Sequence, residues 1–454
     1  MPLAGGGNGA IMRLVVIGMI HVQRSTITAM ARRIFPVLVV VVAVGLALAA
    51  CNALPAQVTA EPTVAVEAGD PTGEAPAAPT SAEPTAPPTV EVEPAATEEA
   101  TEEFTEEATG EGASAGPLLA VLTPDGAVEV VDLATGEATL IAEPSFDIMT
   151  VPHRPIAVTR SALYVLGYDF SEGLPPQVYA ITPAGEVTLR DEFGPLPTGL
   201  AATEAGGGAG YLAWSIFDWT AEPPSTGLYI TALGDMNTLT VAEQQTPEGW
   251  NFVPVRWSTD GQRLYYVEEP TGLGGYILFD GYSSLYVYDM GTGEASVVVP
   301  NSRAGLICID DLSPDEQFIA HHCDLDRVAV TNLETGESTE IAAPPDVTDA
   351  TLAGSAVFSP DGSRVAFGLA RGTPEDERGY LVVTDDLGGT SRLLATTQES
   401  AVYRVLAWLD ADTLLVEQSG ADNTLWTVPV SGGEPQYLTK GQMLALLPAG
   451  WLSE

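Results

Sequence analysis

Four histidines, three cysteines and a single lysine are what this 454-residue chain offers to most acid–base, nucleophilic and metal chemistry. His21 falls in an N-terminal stretch read below as a leader, and His153 stands alone. His321 and His322 are adjacent in a strand-like run, where successive side chains point to opposite faces, so they are not expected to share a metal. The pairs Asp310-Asp311, Asp324-x-Asp326 and Asp410-x-Asp412 carry the oxygen ligands that calcium takes. A chain with 61 acidic residues also produces such pairs by composition alone. There is no phosphate-binding Gly-Lys-Ser/Thr and no zinc-type Cys/His spacing. Lys440, the sole lysine, is followed by Gly441. No catalytic, cofactor-binding or metal residue is assigned from this set, and no cofactor is expected.

The cysteines carry more information. Arg32 and Arg33 precede an apolar run from Ile34 to Leu48, and then comes Leu48-Ala49-Ala50-Cys51. A positive segment, an apolar segment and small residues make a secretory signal. The four-residue stretch resembles the bacterial lipobox, which implies lipidation at Cys51 and a membrane-anchored protein facing outside the cytoplasm, at the cell surface or in the periplasm. An uncleaved membrane helix is the alternative, and Ile34 to Ala50 is at the lower limit for spanning. Met30 is read as the start, with residues 1–29 an upstream over-extension.

Export would also place Cys308 and Cys323 where disulfides persist. They lie on the strands before and after the Ser313-Pro314-Asp315 turn. Opposed residues of such a hairpin have Cα atoms about 4.5–5.5 Å apart, within bridging range. A Cys308–Cys323 disulfide is expected; two reduced cysteines packed as small hydrophobes are the alternative.

Residues 52–116 hold fourteen acids, no Lys or Arg, and Phe104 as their only aromatic. Such Pro/Thr/Glu-rich sequence cannot bury enough apolar surface to offset its ordering entropy. The leader (1–50) is thus followed by a lipidated Cys and disordered acidic linker (51–116), which as a flexible coil spans about 45 Å.

The folded part is expected over 117–454. An apolar or aromatic residue followed by a tight turn recurs as Trp257-Ser-Thr-Asp-Gly261, Leu312-Ser-Pro-Asp-Glu316 and Phe358-Ser-Pro-Asp-Gly362, and degenerately at Trp408 to Asp412. Pro presets φ for the turn, Asp bonds backbone two residues on, and Gly takes positive φ. A second turn recurs as Asp132-x-x-Thr-Gly-Glu137, Asp289-x-x-Thr-Gly-Glu294 and Asn332-x-x-Thr-Gly-Glu337. The first-turn anchors Trp257, Leu312, Phe358 and Trp408 are 55, 46 and 50 residues apart. Four strands in ~40–50 residues is the period of a propeller blade.

Complete units are predicted to begin near Arg154, Thr198, Phe252, Gly305, Ala353 and Tyr403. The segment 118–142 has only three strands and lacks its first. Trp451 stands 43 residues after Trp408, where the next anchor would fall. The C-terminal strand is therefore expected to complete the first blade, giving an all-β, seven-bladed propeller with no open sheet edge between first and last blade. The Trp/Phe-Ser-Pro-Asp-Gly turns followed by apolar strands resemble the repeats of TolB-type and related WD-like propellers, most strongly over 252–395. The resemblance implies a rigid scaffold that binds proteins or peptides, and carries no catalytic residue set.

Charge narrows the partners. Without residues 1–50, which hold four Arg and no acid, 61 acidic residues face 13 basic ones, a net charge of −48. Phosphate contact needs Lys and Arg, so nucleic acid is excluded as a partner, and anionic headgroups are repelled, so membrane attachment falls to the lipid anchor. The acidity serves solubility or salt adaptation on one reading, and attracts cations or a basic partner on the other. Two functions follow: a non-catalytic scaffold for a protein, peptide or glycan, or a propeller enzyme, of lyase or sugar dehydrogenase type, acting in the central channel.

Overall fold

A computed structural model describes residues 116–453, apart from 151–155, 170–172, 206–209, 247–248, 271–278, 280, 301–307, 323–325, 373–376, 398–399 and 421. The leader, Cys51 and the linker up to 115 lie outside the described residues, as do His153, Arg154, Gly305, Cys323 and Asp324. No helix among the described residues is long and apolar enough to cross a membrane.

Seven antiparallel sheets form the domain. The first joins β1 (Leu118–Leu122), β2 (Val128–Asp132) and β3 (Ala138–Ala142) to the last strand of the chain, β29 (Gln442–Leu447). Blade 2 holds β4 (Asp147–Ile148), β5 (Ile156–Val158), β6 (Leu163–Asp169), β7 (Leu174–Ile181) and β8 (Val187–Leu189). Blade 3 is β9 (Pro197–Thr203), β10 (Tyr211–Asp218), β11 (Ser225–Ala232) and β12 (Thr238–Gln245); blade 4 is β13 (Trp250–Trp257), β14 (Arg263–Pro270), β15 (Leu285–Asp289) and β16 (Glu294–Val299). Blade 5 is β17 (Cys308–Leu312), β18 (Phe318–His322), β19 (Val328–Asn332) and β20 (Ser338–Ile341); blade 6 is β21 (Leu352–Phe358), β22 (Val365–Arg371), β23 (Arg378–Thr384) and β24 (Ser391–Thr396). Blade 7 ends the series with β25 (Val402–Trp408), β26 (Thr413–Ser419), β27 (Thr424–Pro429) and β28 (Gln436–Lys440).

The ring closes as the sequence predicts. β29 pairs antiparallel with β1, Leu118 opposite Leu447, and supplies the missing first strand of blade 1. Trp451 is not on that strand. It sits in a short 3-10 turn (Trp451–Ser453) beyond it, fully buried, and its indole N–H donates to Thr159 O at 3.1 Å. Blade 2 departs from the repeat. Its first strand is broken, β4 and β5 pairing with different stretches of β6.

First strands of most neighbouring blades, such as β9 and β13 or β21 and β25, pack on one another around the axis. Fourth strands face water: β8 is exposed throughout and β16 over its first four residues. Between lie apolar layers, each drawn from two adjacent blades, such as Val130, Leu163, Val165 and Trp451 at the 1–2 junction. The repeat anchors serve these junctions. The indole N–H of Trp257 donates to Ala201 O of blade 3 at 3.1 Å, and that of Trp408 to Val357 O of blade 6 at 3.0 Å. A buried indole thus packs its ring and satisfies its one donor at once.

The turns obey their residues. Ser258, Ser313 and Ser359 each donate a hydroxyl to the Asp two residues on, and accept the backbone N–H of Arg263, Phe318 and Arg364 respectively. Gly362 takes φ 71 in the third of these. In the second, Glu316 stands at φ 62 where the others have glycine. That conformation is strained for a side chain, and Glu316 is held there by Tyr265 Oη at 2.7 Å and the Arg263 guanidinium at 2.5 Å, both from blade 4.

Candidate functional site

A four-strand meander repeated around a ring makes two unlike faces. Connections between first and second strands, and between third and fourth, emerge on one; second-to-third and blade-to-blade connections emerge on the other. The Ser-x-Asp-Gly and Thr-Gly-Glu turns occupy the first face, hereafter the tight-turn face. The other face carries longer links, including 190–196 between β8 and β9 and 342–351 between β20 and β21. Long links on a rigid scaffold are where binding residues concentrate.

A cavity of about 710 Å³ opens on this long-link face at the seam where blades 7, 1 and 2 meet, within the usual size range of ligand sites. Blade 1 contributes its Thr123-Pro124-Asp125-Gly126 turn, here a second-to-third link and short enough to leave the space open. The link into blade 2 contributes Ser145 and Phe146, β4 contributes Asp147, and β6 contributes Tyr168. Blade 7 contributes Asp422, Asn423 and Lys440, and β29 begins with Gln442. Gly441 joins the last two at φ 140, with no room for a Cβ against Leu122 O.

The electrostatics are one-sided. Lys440 Nζ is 2.8 Å from Asp422 Oδ1, so the only lysine already has its carboxylate. The Thr123 hydroxyl donates to Asp125 at 2.6 Å and holds that carboxyl below its ordinary range. Asp147 stands directly across from Tyr168 in the sheet. Burial first, and then the Asp147 charge, push the Tyr168 phenol up. Phe146 stacks on Tyr179 with ring centroids 3.8 Å apart. Among the described residues the cavity therefore offers two carboxylates without a cation, aromatic surface from Tyr168 and Phe146, and the amides of Asn423 and Gln442.

The residues singled out by sequence gather elsewhere, between blades 5 and 6. Cys308 is a half-buried free thiol whose cross-strand neighbour is His322; Cys323, the other half of the expected bridge, is outside the described residues. His322 Nδ1 is 3.0 Å from Asp310 Oδ2, and both side chains are almost wholly buried. Burial opposes the imidazolium charge, but the Asp310 bond and charge, with a hydrogen bond donated to the Cys308 sulfur, outweigh it and raise His322 to about 10. His321 points the other way, as alternation requires, and bonds Thr331 Oγ1 at 2.8 Å. Burial pushes His321 down.

The acid pair Asp310-Asp311 is filled by protein. Asp310 Oδ1 accepts Ser355 N–H and Asp311 Oδ2 accepts Phe358 N–H, both at 2.9 Å and both from the first strand of blade 6. Asp311 is raised to about 6 by burial, which outweighs Arg256 of blade 4 at 3.8 Å. These carboxylates clamp blade to blade. Asp326 pairs with Arg327, and Asp410 Oδ1 accepts Asp412 N–H within its own turn. Among the described residues no three His, Cys, Asp or Glu are grouped to hold a metal ion. Of the cavity residues, sequence reading singled out only Lys440; the rest come from both ends of the chain and meet only because the ring closes.

No family model matches the chain, and no curated protein matches its sequence. Among solved structures it is similar to a prolyl endopeptidase from a study of two such enzymes (12% identity, TM-score 0.49, 71% of this chain and 47% of that one). It is similar also to an oligogalacturonate lyase in complex with manganese (15%, TM-score 0.43, 72% and 85%). A third is oligogalacturonate lyase from Vibrio parahaemolyticus (12%, TM-score 0.42, 72% and 85%). The chain spans about half the length of the prolyl endopeptidase. The seven sheets and the β29–β1 closure themselves make this chain a seven-bladed β-propeller.

Proposed function

We propose that this protein is a lipid-anchored, extracytoplasmic lipoprotein that presents its propeller as a non-catalytic scaffold, gripping a protein, peptide or glycan on the long-link face. The observation that carries this reading is the seam cavity of about 710 Å³, set on that face and lined by polar side chains and aromatic surface. The Ser-Pro-Asp-Gly repeats, similar to those of TolB-type propellers, point the same way.

The test uses the immobilised full chain and solubilised envelopes. Species retained by the wild type are expected to be lost with Tyr168→Ala and kept with Glu334→Gln, whose exposed side chain lies on the tight-turn face. Retention that no long-link-face substitution alters would overturn the assignment. Turnover of a small substrate by the purified chain would favour the enzyme reading instead.

A further inference from the structure

We propose that the seam cavity takes a lysine- or arginine-bearing peptide segment of a partner protein, seating a cationic side chain between Asp125 and Asp147 against Tyr168. The inference rests on the scaffold reading and names its ligand.

Three observations converge. The first is local charge. Asp125 and Asp147 line the cavity, and Lys440, the one cation among the described lining residues, is bonded to Asp422 at 2.8 Å. Among the described residues neither carboxylate is held in an ion pair that an incoming cation must break. The second is aromatic surface. Tyr168 and Phe146 line the same space, and a cation over an aromatic face gains about 0.5–2 kcal/mol, more as it is desolvated. The third is the field of the whole molecule: 61 acidic against 17 basic residues attract a basic segment from a distance and repel an acidic one. Asn423 and Gln442, also in the lining, supply donors and acceptors for peptide backbone.

Fluorescence anisotropy of a labelled tetralysine peptide amide with the full chain tests this. Asp147→Asn removes a charge without touching a turn, and is expected to weaken binding about two- to fivefold at low salt. Asp125→Asn is expected to act in the same direction, with circular dichroism checking its turn. Lys440→Gln frees Asp422 and is expected to tighten binding several-fold, a gain that general misfolding would not produce. Glu334→Gln, on the tight-turn face, is expected to leave it unchanged. Binding that is absent, or that weakens alike for Asp147→Asn and Glu334→Gln, overturns the proposal. Absent tetralysine binding alongside Tyr168-dependent retention of envelope species removes the cationic ligand and leaves the scaffold reading intact.

Discussion

Asp310→Asn should destabilise the domain in a manner that depends steeply on pH. Asp310 holds His322 at 3.0 Å in a site where both side chains are almost wholly buried. The imidazole is raised from 6.5 to about 10, and each pKa unit corresponds to about 1.4 kcal/mol. Because the folded value exceeds the unfolded one, this stabilisation is fully present below pH ~6.5 and is lost as pH rises toward 10. The substitution should therefore cost about 3–5 kcal/mol at pH 6, the size found when one partner of a buried pair is removed. The cost should shrink by about 1.4 kcal/mol per pH unit above 7 and nearly vanish by pH 10. There a neutral imidazole can accept from the Asn amide, and the Asn carbonyl can still take Ser355 N–H. Urea denaturation of both chains at pH 6, 8 and 10 measures the difference; titrations common to both cancel. A cost that stays constant across this range, or a His322 Cε1 proton resonance titrating near 6.5 in the wild type, would refute the reasoning.

Deleting residues 443–454 removes Leu444, Leu447 and Trp451, all buried, and unpairs β1 on one side; it should cost several kcal/mol, and an unchanged thermal midpoint would contradict ring closure through this strand. Gly441→Ala forces a Cβ toward Leu122 O at φ 140, so it should cost about 1–3 kcal/mol, read by the same denaturation curves, and distort the seam cavity. Cys51→Ala should abolish labelling by a fatty-acid probe and move the protein from membrane to soluble fractions; equal membrane retention would remove lipidation from the account.

The blade count and the ring closure were legible because they rest on local chemistry repeated in order. A Ser-Pro-Asp-Gly turn specifies its own hydrogen bonds, and two turn types alternating fix four strands. The broken first strand of blade 2 was not legible, since neither β4 nor β5 is long enough to show a period and the turn at Thr159 lacks the Pro-Asp-Gly residues. The acid pair at 310–311 shows why composition misleads. Its partners are backbone N–H groups 45 and 47 residues away on the next blade, and no pattern near residue 310 announces them. The cavity was hidden for a similar reason: Asp125 and Lys440 lie more than 300 residues apart in the sequence.

The placement of β1 has a mechanical consequence. It is an inner strand of its sheet, flanked by β29 on one side and β2 on the other. A force applied through the residues before Leu118 pulls along the strand, so it loads the hydrogen bonds to both neighbours in shear and together rather than peeling them one at a time. Rupture under such a load would be governed by the rate at which β1 slides out of both pairings at once.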